Sequence, residues 1–152
     1  MTQALTRRAL RALLALPLLV APVSAQASGF AIESQGARAM GFAVLPCDQL
    51  RTLGPGSFAS LVRERAVRRP VFLSFDVDIL DPAFAPGTGT PEVGGLSTAE
   101  ALAFLRALGG IDLAGADVVE VSPSYDGPGQ QTALAAANVA YELLSLRALA
   151  QG

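Results

Sequence analysis

Val71-Phe72-Leu73-Ser74-Phe75-Asp76-Val77-Asp78 is the stretch that decides the fold of this 152-residue chain. A run of apolar residues broken only by Ser74 reads as a strand of a parallel sheet covered on both faces. In open parallel sheets the ligand crevice lies beyond the carboxyl ends of the strands, which is where Asp76 and Asp78 stand. Residues two apart on a strand share a side, so both carboxylates are expected to face one crevice. Two carboxylates held together in a partly buried site raise each other's pKa unless a cation neutralises them, which makes a metal the natural third party. Oxygen-only ligation favours a hard ion such as Mg²⁺ or Mn²⁺.

The flanking sequence alternates strand and helix. Phe42 to Leu45 is a short apolar strand. Ser57 to Arg68 places Phe58, Leu61, Val62 and Ala66 on one helical face and stops at Pro70. Ser97 and Glu100 form a capping box for a helix that ends at Gly109-Gly110. Val118 to Val121 is a second buried strand, and Gln131 to about Ala150 a long helix with Leu134, Ala137, Tyr141, Leu144 and Ala148 on its core face. The order implies an α/β fold, a three-layer parallel sheet with helices on both faces. The second place for chemistry is Glu120, an acid inside an apolar strand, whose natural partner is the planar fork of a guanidinium. Other readings of these acids stand beside these. The D-x-D pair also suits a turn or cap, or a dehalogenase-like phosphotransferase with Asp76 as nucleophile and Asp78 as acid, whose usual lysine is missing. Glu120 also suits a salt bridge to Arg106, and Asp81 a turn.

Composition removes most other chemistries. The chain is 51% apolar and 16% charged, carries a formal charge of -2, and contains no histidine. Its 11 basic residues are all arginine and its one cysteine is Cys47. A Ser-His-Asp triad, an imidazole metal ligand, a phosphate-binding lysine and an intramolecular disulfide are all excluded. No basic stripe interleaved with aromatics is present, so nucleic acid is not an expected partner.

Beyond these local features, Ser74-Phe75-Asp76-Val77-Asp78, Pro82, Pro86-Gly87-Thr88-Gly89-Thr90-Pro91-Glu92, Gly94-Gly95-Leu96, Val119-Glu120-Val121-Ser122-Pro123, Tyr125-Asp126 and Thr132 to Ala136 resemble, in this order and spacing, the ureohydrolase family of arginases and agmatinases. The likeness runs over about residues 36 to 149 and is nearest to the agmatinase branch. It implies a partial arginase-like fold and a binuclear Mn²⁺ enzyme that hydrolyses a small guanidino substrate such as agmatine to urea and an amine, a reaction of polyamine metabolism. By the same resemblance Asp76 corresponds to the carboxylate bridging the two ions, Asp78 to a ligand of one, and Glu120 to the acid that holds the guanidinium. Thr88 to Gly95 would shape the pocket rim. The family's earlier metal-ligand segments, a Gly-Gly-Asp-His and an Asp-x-His-x-Asp pattern, are absent, and Gly127 stands where the family has a histidine after Tyr-Asp. The expectation is therefore a C-terminal portion over residues 41–150 with impaired activity. The alternative is a non-catalytic remnant or exported guanidinium-binding domain. A truncated sheet leaves an unpaired edge that invites association, so a homo-oligomer is a possible state.

Residues 1–27 read as a signal-peptide-like segment: Arg7, Arg8 and Arg11 precede the apolar run Ala12 to Val20 and small-residue cleavage sites near Ala25 and Ala27. That run is too short to form a stable membrane span. Ser28 to Arg38 resembles the mature start of outer-membrane fatty acid transport proteins, and residues 28–40 are expected to act as a linker. The leader points to export to the periplasm; the family resemblance points to the cytoplasm.

Overall fold

A computed structural model describes residues 18–21, 36–67 and 69–150. Its elements in chain order are β1 (Leu18–Ala21), β2 (Ala43–Pro46), α1 (Cys47–Ala66), β3 (Val71–Asp76), a 3-10 turn (Val77–Ile79), α2 (Thr98–Ala107), β4 (Leu113–Val119) and α3 (Gln131–Leu149). Among the described residues all strand pairing is parallel: β1 runs beside β2, and β3 beside β4 with Val71 opposite Leu113 and Asp76 opposite Val119. The expected leader and linker lie largely outside the described residues. Within them Leu18–Ala21 is strand and residues 36–39 form one helical turn.

Helix α1 is longer than its sequence suggests. The expected helix began at Ser57, but helical residues start at Cys47 and continue across a kink at Gly54, whose φ is 75°. Pro55 lacks an N–H and disfavours the α conformation in the residue before it, so Gly54 takes a left-handed turn and a second helical segment starts at Pro55. Helix α2 agrees with the sequence: Ser97 is its N-cap, and the reciprocal bonds to Glu100 are both formed. Arg51, on the first segment of α1, bonds the Glu100 carboxylate at 3.0 Å and the carbonyls of Gly94 and Gly95. One guanidinium thus ties α1, α2 and the long loop that follows β3.

The three helices meet in one core. Phe58 of α1 and Phe104 of α2 pack edge to face with ring centroids 5.5 Å apart, a geometry that contributes about 0.5–1.5 kcal/mol beyond area burial. Leu80, Leu96, Leu113, Val77 and Phe75 continue the core toward the sheet. Cys47 is buried there, and burial pushes its thiol pKa up, the environment of an inert thiol. On β3 the exposure alternates: Phe75 is buried, whereas Phe72 is 58% exposed and Ser74 and Asp76 face outward. Among the described residues, the helices thus cover one face of the β3–β4 pair.

Further sequence expectations need correction. Strand β4 begins at Leu113 and ends at Val119, so Glu120 lies just past the strand rather than inside it. Its start was hidden because Leu113-Ala114-Gly115-Ala116-Asp117 lacks the β-branched residues that mark a strand. The core face of α3 is Thr132, Ala135, Val139, Leu143 and Leu146, whereas Leu134, Tyr141 and Leu144 are exposed. This helix is apolar almost all round, so the period of its hydrophobic residues gives no phase.

Candidate functional site

Strands β3 and β4 end side by side, and the acids sit at those ends. Asp76 is the last residue of β3, and Asp78 follows in the 3-10 turn. The turn overrides the alternation of a strand: Asp76 is exposed while Asp78 is only 7% exposed, so the two do not share one strand face. They stay coupled, because the Asp76 carboxylate accepts the Asp78 backbone N–H at 2.9 Å. The register of Asp76 with Val119 brings Glu120 to the same end. Desolvation raises the Asp76 pKa above the ordinary carboxylate value; the bond from the Asp78 N–H opposes this, and the negative charges of Asp78 and Glu120 add to it. Asp76 therefore feels both other acids.

The loop between the 3-10 turn and α2 folds back over Asp78. It is closed at its base by a parallel bridge between Leu80 and Leu96, with Leu96 N–H to Ile79 O at 2.8 Å and Asp81 N–H to Leu96 O at 2.9 Å. Asp81 works as a turn residue, accepting the N–H groups of Ala83 and Gly94, which lower its carboxyl pKa. At the far end Thr88 and Thr90 donate their hydroxyls to the two oxygens of Asp78. Thr88 is 3% exposed, so it lies inside the site rather than on a rim. Sequence reading missed this pair of hydroxyls as partners of Asp78; the repeated Gly-Thr-Gly-Thr was the available signal.

The loop after β4 is shaped by Glu120, whose φ of 64° is left-handed. From there Ser122 returns its N–H to Gly87 O at 2.8 Å. Arg106 pairs with Glu142, with Nε to Oε1 at 2.8 Å, so the alternative reading of Glu120 as its salt-bridge partner is not what the structure shows. Two grooves flank α3: one of about 200 Å³ lined by Leu80, Phe84, Ala101 and Val139, and one of about 460 Å³ between β4 and α3 lined by Leu113, Val118 and Leu144. Neither is lined by the three acids.

A family model described as the arginase family matches residues 10–145. The chain belongs to the arginase family. It is 47% identical over 117 residues to the agmatinase of Photorhabdus laumondii, covering 77% of this chain and 38% of that protein. It is 44% identical over 126 residues to the guanidinobutyrase of Pseudomonas aeruginosa, covering 82% and 39%. The solved proclavaminate amidino hydrolase from Streptomyces clavuligerus superposes with a TM-score of 0.77 at 41% identity, covering 88% of this chain and 42% of that one. This arginase-family chain thus has the arginase-like α/β fold and spans about two fifths of the length of these relatives. Among the described residues, no helix is long and apolar enough to cross a membrane.

Proposed function

We propose that this chain carries the guanidino-recognising end of an agmatinase-type ureohydrolase site. The observation that carries the reading is the convergence of Asp76, Asp78 and Glu120 at the paired ends of β3 and β4. Glu120 stands outside the strand and exposed, able to accept a guanidinium in the bidentate geometry that suits a carboxylate. The negative field of Asp76 and Asp78 favours that cation further.

A binuclear manganese centre does not fit the donors described. The sequence has no imidazole to complete such a donor set. Among the described residues, no three His, Cys, Asp or Glu side chains are placed to hold an ion. Asp76 and Asp78 are at most part of such a centre, so the activity proposed for this chain alone is recognition of a small guanidino compound with little hydrolysis. A non-catalytic guanidinium-binding domain is the second reading, supported by an exposed Glu120 at the end of β4 beside an incomplete set of metal donors among the described residues.

Manganese loading of the purified chain, followed by elemental analysis and a urea assay with agmatine on the same sample, tests both. Bound metal well below two ions per chain, almost no urea, and agmatine binding that Glu120→Gln abolishes are expected. Near two ions per chain with steady urea release would overturn the incomplete-site reading. Absence of agmatine binding would overturn guanidino recognition.

A further inference from the structure

Gly87, in the loop that carries Thr88 to Asp78, is bonded both to the loop after β4 and to the start of α3. Its N–H donates to the Thr132 hydroxyl at 2.7 Å, and its carbonyl accepts the Ser122 N–H at 2.8 Å. Thr132 is fully buried in the first turn of α3, and the Asp126 carboxylate receives the N–H groups of Thr132 and Ala133 at 3.1 and 3.0 Å. Gly87 also lies flat against Asp126: a Cβ there would stand 2.6 to 2.9 Å from the Asp126 Cβ, Cγ and Cα atoms. One covalent step past Gly87 is Thr88, whose hydroxyl reaches Asp78. Two steps before Ser122 is Glu120. A continuous path therefore runs from Glu120 through Ser122 and Gly87 to Thr88 and Asp78, braced by the N-terminus of α3.

We propose that Thr132 is a positioning residue: its hydroxyl anchors Gly87, and through Gly87 it sets where Glu120 stands relative to Asp78. A buried N–H with no acceptor is costly, so without the hydroxyl the Gly87 peptide turns toward another partner. That turn carries Thr88 and the Ser122 bond with it, and both acids shift. Asp126 and the α3 turn hold the hydroxyl still. The inference deepens the guanidino-recognition reading and rests on it only for the binding readout.

The test compares Thr132→Val, which keeps the shape and removes the hydroxyl, with Thr132→Ser, which keeps the hydroxyl, in the full chain. The primary readout is the carboxyl ¹³C resonances of Asp78 and Glu120, with Asp117 as a control, and amide exchange at Gly87 and Ser122. Thr132→Val is expected to move both carboxyl resonances, leave Asp117 in place, and speed exchange at Gly87 and Ser122 roughly tenfold, the effect of one lost buried hydrogen bond. Thr132→Ser restores all of these. Agmatine binding by calorimetry should weaken by a similar factor in the valine variant and recover in the serine variant. Unmoved carboxyl resonances in a folded Thr132→Val chain overturn the inference, as does faster exchange with unchanged agmatine affinity. Should Thr132→Val fail to fold, Glu120→Gln at its exposed position serves instead: the charge change must perturb the Gly87 amide and the Asp78 carboxyl, and silence at both overturns the path. A wild-type chain that binds no agmatine defeats the recognition reading while the resonances still decide the positioning role.

Discussion

Substituting Gly95 by alanine should open the loop that holds Asp78. A Cβ at this position would stand 2.5 Å from Asp81 N, 2.6 Å from Leu80 C and 2.7 Å from Ile79 O. All three are backbone atoms and cannot rotate aside as a side chain would. Comfortable contact needs about 3.5 Å, so the two chain segments must part by roughly 1 Å. The bonds Leu96 N–H to Ile79 O and Asp81 N–H to Leu96 O flank that contact and stretch together. Overpacking costs about 1–3 kcal/mol, and two weakened backbone hydrogen bonds add about 0.5–1.5 kcal/mol each, for a total of about 2–6 kcal/mol. A domain of this size is stable by about 5–15 kcal/mol, so the change is severe without abolishing folding in every case. Urea unfolding followed by circular dichroism gives the loss, and amide exchange at Asp81 and Leu96 shows whether it sits at the bridge. A loss below about 0.5 kcal/mol with both amides still protected would refute the reasoning.

Two other outcomes follow from the same structure. Asp76 has a folded pKa raised by burial and by its acidic neighbours; its contribution to stability is full below the unfolded pKa and lost as pH rises through the folded value. Asp76→Asn, whose Oδ1 can still accept the Asp78 N–H, should therefore match wild type in acid and gain stability on the alkaline side of that window, with metal and guanidino binding reduced; urea midpoints across the pH range decide it, and equal midpoints throughout would contradict it. Ser97→Ala removes the capping box of α2 and should cost about 1 kcal/mol in thermal or urea unfolding, with full retention of stability counting against the cap.

Features carried by contiguous residues were legible in the sequence. The capping box at Ser97 and Glu100 and the strand from Val71 with Asp76 at its end need only near neighbours and appear as read, whereas the shared face of Asp76 and Asp78 and the cover on both faces of β3 do not. What failed depended on partners far along the chain. The face of α3 is chosen by which elements already occupy the core, and a helix apolar all round cannot signal that choice. The outward turn of Phe72 reflects which face of β3 the helices cover, which no local pattern encodes. Leu18–Ala21 lies in an apolar run that suits a leader or a buried strand equally, and its pairing with β2 is a long-range fact. The same limit hid Thr132. A threonine at the start of a helix is an ordinary helix residue until the Gly87 N–H, 45 residues earlier, is seen to need an acceptor.

Glu120 separates the demands of folding from those of the site. Its φ of 64° is a conformation that a residue with a Cβ adopts at a cost of about 1–2 kcal/mol and glycine adopts freely. This bend turns the chain out of β4 and sends Ser122 back to Gly87, so the fold needs the backbone angle and not the carboxylate. Glycine would lose about 0.5–1 kcal/mol in unfolded-chain entropy, leaving a net gain of about 0–1.5 kcal/mol for Glu120→Gly. We propose that the strain is tolerated at Glu120 because its carboxylate, beside two other acids, serves binding. Glu120→Gly should thus equal or exceed wild type in urea unfolding while agmatine binding is lost. A variant destabilised by more than about 1 kcal/mol would mean that the Glu120 side chain supports the fold itself, and the strain would then say nothing about function.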